Sequence, residues 1–277
     1  MPLSLKSVEP SRGVRWIVDA WRLFLRRPLA FSGLLAAWVL GGMVLSTLLP
    51  VVGSVVMLMS PPLFSLGFMI AGQSVLLDGP VHPRQFVEPL LGDKRRRKAM
   101  LVLCVVYAAA MTLVTVVAMQ MADESLSRLA QQPAGSSLPR EEIVALLTSS
   151  DMTLASLFFL VTMSALSAPF WHAPALVHWG GHSAAQALFS SLLAVWRNKW
   201  AFAVYFSMFT AAGLAGLFVL SALATALLPV WLALALLALA WASAGAVFYL
   251  SVLFTFNDSF GGSPVLTDDD PHTQPDL

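Results

Sequence analysis

An all-α bundle crossing a membrane six times is the architecture this sequence predicts, and three observations predict it. Of 277 residues, 58% fall in the set AVILMFWYC and 11% are charged, against roughly half apolar and a quarter charged in soluble domains. No globular core of this size hides so much apolar side chain from water. The charge-free runs are long: Pro28–Leu77 (50 residues), Ala99–Ala122 (24), Met152–Trp196 (45) and Trp200–Asn257 (58), where one span needs about 20. Finally, the lysines and arginines fall into blocks that alternate with these runs.

Residues 11–27 precede the first run. Val14, Ile17, Val18, Trp21, Phe24 and Leu25 recur at helical spacing, opposite Arg12, Arg15, Asp19, Arg22 and Arg26. That pattern predicts an amphipathic helix lying flat in the headgroup region ahead of the first span. The first run would measure about 75 Å as one helix, while the hydrocarbon core is about 30 Å thick. It must cross twice, breaking at Leu49-Pro50-Val51-Val52-Gly53, which gives spans at about 30–49 and 52–77. Pro61-Pro62 is expected to kink the second.

Residues 78–98 are polar and end in Asp93-Lys94-Arg95-Arg96-Arg97-Lys98; span three is expected at about 99–121. Residues 123–151 read as a loop followed by a short surface helix. Span four follows at about 152–177, interrupted by Pro169 and Pro174. Residues 183–199 repeat the amphipathic theme, with Leu188, Phe189, Leu192, Leu193 and Trp196 opposite Gln186, Ser190, Arg197 and Asn198. Spans five (about 200–228) and six (about 230–256) meet at Pro229. The domain plan is therefore 1–28 as a cytoplasmic amphipathic helix, 29–256 as the membrane domain, and 257–277 as a disordered cytoplasmic tail. An internal repeat is also expected. Arg26-Arg27-Pro28-Leu29-Ala30-Phe31 parallels Arg197-Asn198-Lys199-Trp200-Ala201-Phe202, and Leu48-Leu49-Pro50-Val51 parallels Leu227-Leu228-Pro229-Val230.

With six spans, 14 of the 16 lysines and arginines lie on one side and only Arg128 and Arg140 on the other. The positive-inside rule then places both termini in the cytoplasm. The first apolar run is too long for a cleaved signal peptide, so the first span is expected to remain as an anchor. The single cysteine, Cys104, excludes an intramolecular disulfide.

Few residues point to chemistry. His172, His178 and His182 cluster near the end of span four. The His178/His182 spacing would put both on one helical face, but Gly180-Gly181 lies between them and no acid or cysteine is near, so they read as interfacial side chains, and no metal site is expected. Gln73 and His172 are the deepest strongly polar groups, and Asn198 sits at the junction of the second surface helix and span five. The spans hold no Asp, Glu, Lys or Arg away from their ends, which argues against an ion-coupled pump. Lys94, Arg95, Arg96, Arg97 and Lys98 could meet anionic lipid, though orientation alone already demands a basic cluster there. No hydrolase elbow, phosphate loop or dinucleotide fingerprint is present. No catalytic residue, cofactor or nucleic-acid partner is expected.

The stretch Ala173-Pro174-Ala175-Leu176-Val177, followed by Ala187-Leu188-Phe189-Ser190-Ser191, Ala194, Arg197-Asn198 and Ala201-Phe202, resembles the signature of an uncharacterised family of proteobacterial multi-spanning inner-membrane proteins. The amphipathic opening Gly13–Pro28 is similar as well. The resemblance implies an inner-membrane location and this architecture, with no activity to carry over; the polar insert at 123–150 departs from it. The resulting expectation is a non-enzymatic scaffold or assembly partner. Its rivals are a transporter or permease for a small or lipidic substrate, with Pro61, Pro62, Pro169 and Pro174 lining a cavity, and a lipid-modifying enzyme using His172, His178 or Ser167.

Overall fold

Three helical hairpins cross the apolar layer, each led in by a shorter helical segment. The computed structural model describes residues 4–130 and 139–261. The first hairpin pairs α2 (Pro28–Leu48) with a broken second span, α3 (Pro50–Met59) and α4 (Pro61–Leu76), which are bent by 57° at Ser60. After α5 (Glu88–Leu91), the second pairs α6 (Lys94–Met121) with α9 (Ser150–Trp171) and its continuation α10 (Ala173–His178). The third pairs α12 (Lys199–Leu227) with α13 (Val230–Phe260). Among the described residues, five helices are long and apolar enough to cross a membrane, or six when the bent pair counts as one span.

The leading segments are α1 (Arg12–Arg26), the 3-10 turn Pro83–Phe86 with α5, and α11 (Ala184–Arg197). The 3-10 turn and α5 pack on α4, α11 packs on α9 and α10, and α1 closes the ring by packing on α12 and α13. The order of lead segment, span, connection, span therefore occurs three times, with a tight turn only in the first and last, the two copies that the sequence pattern picked out.

The core sits at one end of the bundle. Arg27 Nη2 donates to the Asp78 carbonyl (3.3 Å), Arg96 Nη1 to the His178 carbonyl (3.1 Å) and the Val8 N–H to Asn198 Oδ1 (2.9 Å). These ties gather every basic cluster except Arg128 and Arg140 at that same basic end. The inner parts of the three second spans, α4, α10 and α13, carry nearly half of the buried residues among those described, including Phe64, Phe68, Leu176, Val177, Leu250 and Phe256. By contrast, α12 has none of its most apolar window buried, and the far half of that hairpin faces outward.

Helix α1 has three faces rather than two. Gly13, Trp16, Ala20, Leu23 and Phe24 are buried against the bundle, while Val14, Val18, Trp21 and Leu25 are exposed and apolar. Arg15, Asp19, Arg22 and Arg26 fill the third face, each taking roughly a third of the circumference at 3.6 residues per turn. Gly13 is required: a Cβ there would collide with the Ala201 carbonyl oxygen and the Tyr205 nitrogen of α12. Helix α11 follows the same rule. Of its predicted apolar face, Phe189, Leu192, Leu193 and Trp196 are exposed and Leu188 is half-buried against the core, while the small residues Ala187, Ser191 and Ala194 pack inward.

Three boundaries differ from expectation. Span three begins at Lys94, because Asp93 caps the helix by accepting from the Arg95 N–H (3.2 Å) and carries the basic run into its first turn. In the stretch after it, the expected short helix is present as α8 (Arg140–Leu147), while residues read as loop form α7 (Asp123–Ala130); 131–138 lie outside the described residues. There Ser125 donates its N–H and its hydroxyl to Asp151 (3.0 and 2.9 Å), fixing the far end of the second hairpin. Finally, α13 runs to Phe260 and ends at Gly261 with φ +82, so residues 257–260 belong to the bundle and not to the tail; 262–277 lie outside the described residues.

Those last residues are held by charge. Asp258 accepts from Arg12 Nε and Nη2 (2.7 and 2.8 Å) and from Trp16 Nε1 (2.7 Å), clamping α1 to the end of α13. Asp258→Ala is expected to cost about 1–3 kcal/mol, since it strands a guanidinium and an indole N–H. Arg12→Lys should lose part of this, because an ammonium cannot make the forked contact. Thermal unfolding of the purified protein in detergent reads both.

Asp19 provides a pH test. Burial raises its pKa, opposed by Arg12, Arg22 and Arg15, while Asp258 pushes it further up. A raised carboxyl pKa means that the charged form is disfavoured in the fold, so stability increases as pH falls through that pKa. Asp19→Asn should therefore raise the melting temperature at neutral pH, with the gain shrinking toward acid. A gain that grows on acidification would contradict this.

Candidate functional site

The sequence candidates separate into two groups. His172 and Asn198 lie in the packed basic end, buried to 0% and 2% exposure, whereas His178, His182 and Gln73 are only half-buried.

His172 stands where α9 gives way to α10. Pro169 and Pro174 lack the N–H groups that would bond back to Ala165 and Phe170, so the ladder is interrupted on both sides of it. The gap is closed from another helix. Ser191 of α11 accepts the His172 N–H (2.9 Å) and donates its hydroxyl to the Ala168 carbonyl (2.8 Å). One hydroxyl thus bridges the donor and acceptor that an unbroken helix would pair directly. In hydrocarbon such a repair is obligatory, because water cannot supply it.

The His172 ring meets Thr255 of α13. Thr255 donates its single hydroxyl proton to the Val252 carbonyl (2.9 Å), so its oxygen accepts from both Trp171 Nε1 (3.0 Å) and His172 Nε2 (3.1 Å). That fixes the His172 tautomer with the proton on Nε2. Nδ1 then has no hydrogen-bond partner, and the ring is enclosed by Phe202, Phe256 and Phe260 at centroid distances of 5.5–6.0 Å. Trp16 and Trp171 extend the same aromatic cluster through Phe202, at 5.2 and 5.8 Å. Each such pair is worth about 0.5–1.5 kcal/mol beyond its buried area.

Asn198 ties three segments together. Its Oδ1 accepts from the Val8 N–H, while Nδ2 donates to the Lys6 carbonyl (3.2 Å) and Ser259 Oγ (3.4 Å). It holds the extended N-terminal segment across the mouth of the bundle. Both buried candidates are therefore spent on holding helices together.

His178 ends α10 and His182 lies beyond the turn, where Gly181 adopts φ +65. The helix does not continue between them, so the four-residue spacing does not place them on one face. Among the described residues no three His, Cys, Asp or Glu side chains approach closely enough to hold a metal ion. Gln73 lies in α4 near its end, and Lys94–Lys98 line the exposed first turn of α6.

The sequence reading missed a crevice at mid-depth. About 760 Å³ opens between α2 and α13, lined by Leu35, Trp38, Phe64, Ala242, Phe248 and Tyr249 among others. Its wall is anchored where the second span breaks: Trp38 Nε1 donates to Ser60 Oγ (3.2 Å), and Ser60 donates to the Met57 carbonyl (2.9 Å). Trp38 also stacks on Phe64 at 4.2 Å, and Phe64 meets Tyr249 at 4.6 Å. Pro61-Pro62 was the one signal pointing there.

Ser191→Ala is expected to cost about 1–3 kcal/mol by orphaning two buried backbone groups. Ser190→Ala, one residue away, should stay within about 0.5 kcal/mol. Equal melting temperatures for the two variants would contradict the bridging role.

Comparison with known proteins agrees with this architecture. The chain is similar to a probable inner membrane protein of Burkholderia thailandensis, 28% identical over 274 residues, an alignment spanning 95% of this chain and 98% of the relative. No family profile and no solved structure matches it. The relative's name states a location and no activity, and with the helices described above it makes this chain a multi-pass inner-membrane protein.

Proposed function

We propose that the protein is a non-enzymatic scaffold or assembly partner, with both termini in the cytoplasm. The observation that carries this reading is the fate of the buried polar side chains at the basic end. His172, Ser191, Thr255, Asn198 and Asp258 are engaged in joining helices, and aromatic rings close around His172. A transport pathway or a hydrolytic site needs polar groups facing a cavity. Here such groups face one another.

The cytoplasmic assignment rests on charge, since the basic end holds 14 of the 16 lysines and arginines. That end would place Lys94, Arg95, Arg96, Arg97 and Lys98, with the arginine face of α1, against the anionic leaflet or an acidic partner. A lipidic substrate is the second reading, favoured by the apolar crevice beside the broken span.

Two measurements test these statements. Ser136→Cys should react with an impermeant thiol reagent in intact spheroplasts and Ser7→Cys should not; the reverse pattern overturns the orientation. Purification from native membranes should recover a stoichiometric protein partner. A protein that runs alone, and that moves labelled phospholipid between leaflets after reconstitution, would replace the scaffold with the second reading.

A further inference from the structure

We propose that the crevice between α2 and α13 is a binding site for one acyl chain of a membrane phospholipid, which enters sideways from the bilayer. The inference stands apart from the scaffold reading and rests on four observations.

The first is depth. Leu35–Leu40 lie roughly 10–12 Å from either end of α2 at 1.5 Å per residue, and the α13 wall, Ala238 to Tyr249, is likewise central in Val230–Phe260. At that level the surrounding medium is hydrocarbon. An apolar hollow there that stayed unfilled would forfeit dispersion contacts on its whole lining.

The second is continuity with the lipid-facing surface. Val39, Leu40 and Trp241 form the rim and are 39%, 59% and 73% exposed. The crevice is thus an inward extension of the surface already in contact with lipid. Toward the basic end it is closed, because Phe31, Leu34 and Leu35 of α2 are buried there alongside Ala246, Val247 and Leu250 of α13.

The third is rigidity. Trp38 is fixed by its hydrogen bond to Ser60 and by stacking on Phe64, and Phe64 is itself held by Phe68 (5.0 Å), Phe86 (5.3 Å) and Tyr249. A preformed wall does not have to be ordered at the moment of binding. That separates this hollow from the flexible exterior of α12.

The fourth is size. A volume of about 760 Å³ falls within the roughly 300–1,000 Å³ typical of single-ligand sites. Fourteen residues line it, short of the roughly 20–30 per side that a stable protein interface uses. A second copy or a partner helix seated there would leave most of its own contact surface elsewhere.

The test uses full-length protein in vesicles of phosphatidylethanolamine and phosphatidylglycerol, doped with a phospholipid carrying a diazirine midway along one acyl chain. After irradiation, mass spectrometry of peptides should find Trp38 and Tyr249 labelled several-fold more than Val105, an exposed position of α6 at comparable depth. Ala242→Phe, filling the crevice from α13, and Ala36→Phe, filling it from α2, should each reduce crevice labelling several-fold and leave Val105 unchanged. Ala36 is exposed and Ala242 half-buried, so if the Ala242 variant fails to fold the Ala36 variant still decides. Equal labelling of crevice and control, or labelling indifferent to both substitutions, shows bulk annular lipid and overturns the site.

Discussion

Inside hydrocarbon, apolar side chains gain nothing by leaving lipid for each other, so helices associate only where they pack closely or exchange hydrogen bonds. This constraint organises the whole structure. Most of its buried residues collect at the basic end, where most of the polar ties lie. The far half of α12 and α13 is consequently coated with exposed leucine, valine and phenylalanine, as the medium permits.

The ties are few and each joins different elements. Asp258 fastens α1 to α13, Asn198 fastens the N-terminal segment to the start of α12, Ser191 fastens α11 into the broken ladder of α9, and Thr255 joins α13 to the same break. Together they close a ring of three hairpins. Two of the three second spans are interrupted, by Pro61 and by the Pro169/Pro174 pair, and both interruptions are repaired by a serine: Ser60 caps its own helix and receives Trp38, while Ser191 arrives from another helix. The breaks bend the spans, and one bend leaves the crevice beside it.

The amphipathic helices show how a pattern can reveal the lipid-facing side of a helix and leave its protein contact unread. The apolar stripes read from 11–27 and 183–199 do exist. In a soluble protein such a stripe would bury against the core. Here it meets the bilayer, and the protein contact falls to small residues (Gly13, Ala20, Ala187, Ala194) that let backbones approach closely. On α1 the larger Trp16, Leu23 and Phe24 are buried beside them, and Asp258 satisfies the Trp16 N–H.

The sequence by itself determined the class of fold, the presence of several apolar helices long enough to span a bilayer, the breaks at proline and the blocks of charge between the apolar runs. These follow from local composition measured against a bilayer of fixed thickness. Tertiary structure decided which polar residues matter. The sequence pattern singled out Ser190 on the polar face of its helix, yet its neighbour Ser191 is the serine that repairs the broken ladder. Asp258 read as part of a disordered tail, whereas the fold brings Arg12 and Trp16, more than 240 positions earlier, against it. His172 was singled out for its depth, but its role depends on a threonine 83 residues away. Such pairings join segments far apart in the chain. Helical periodicity spans a few turns and carries no record of them.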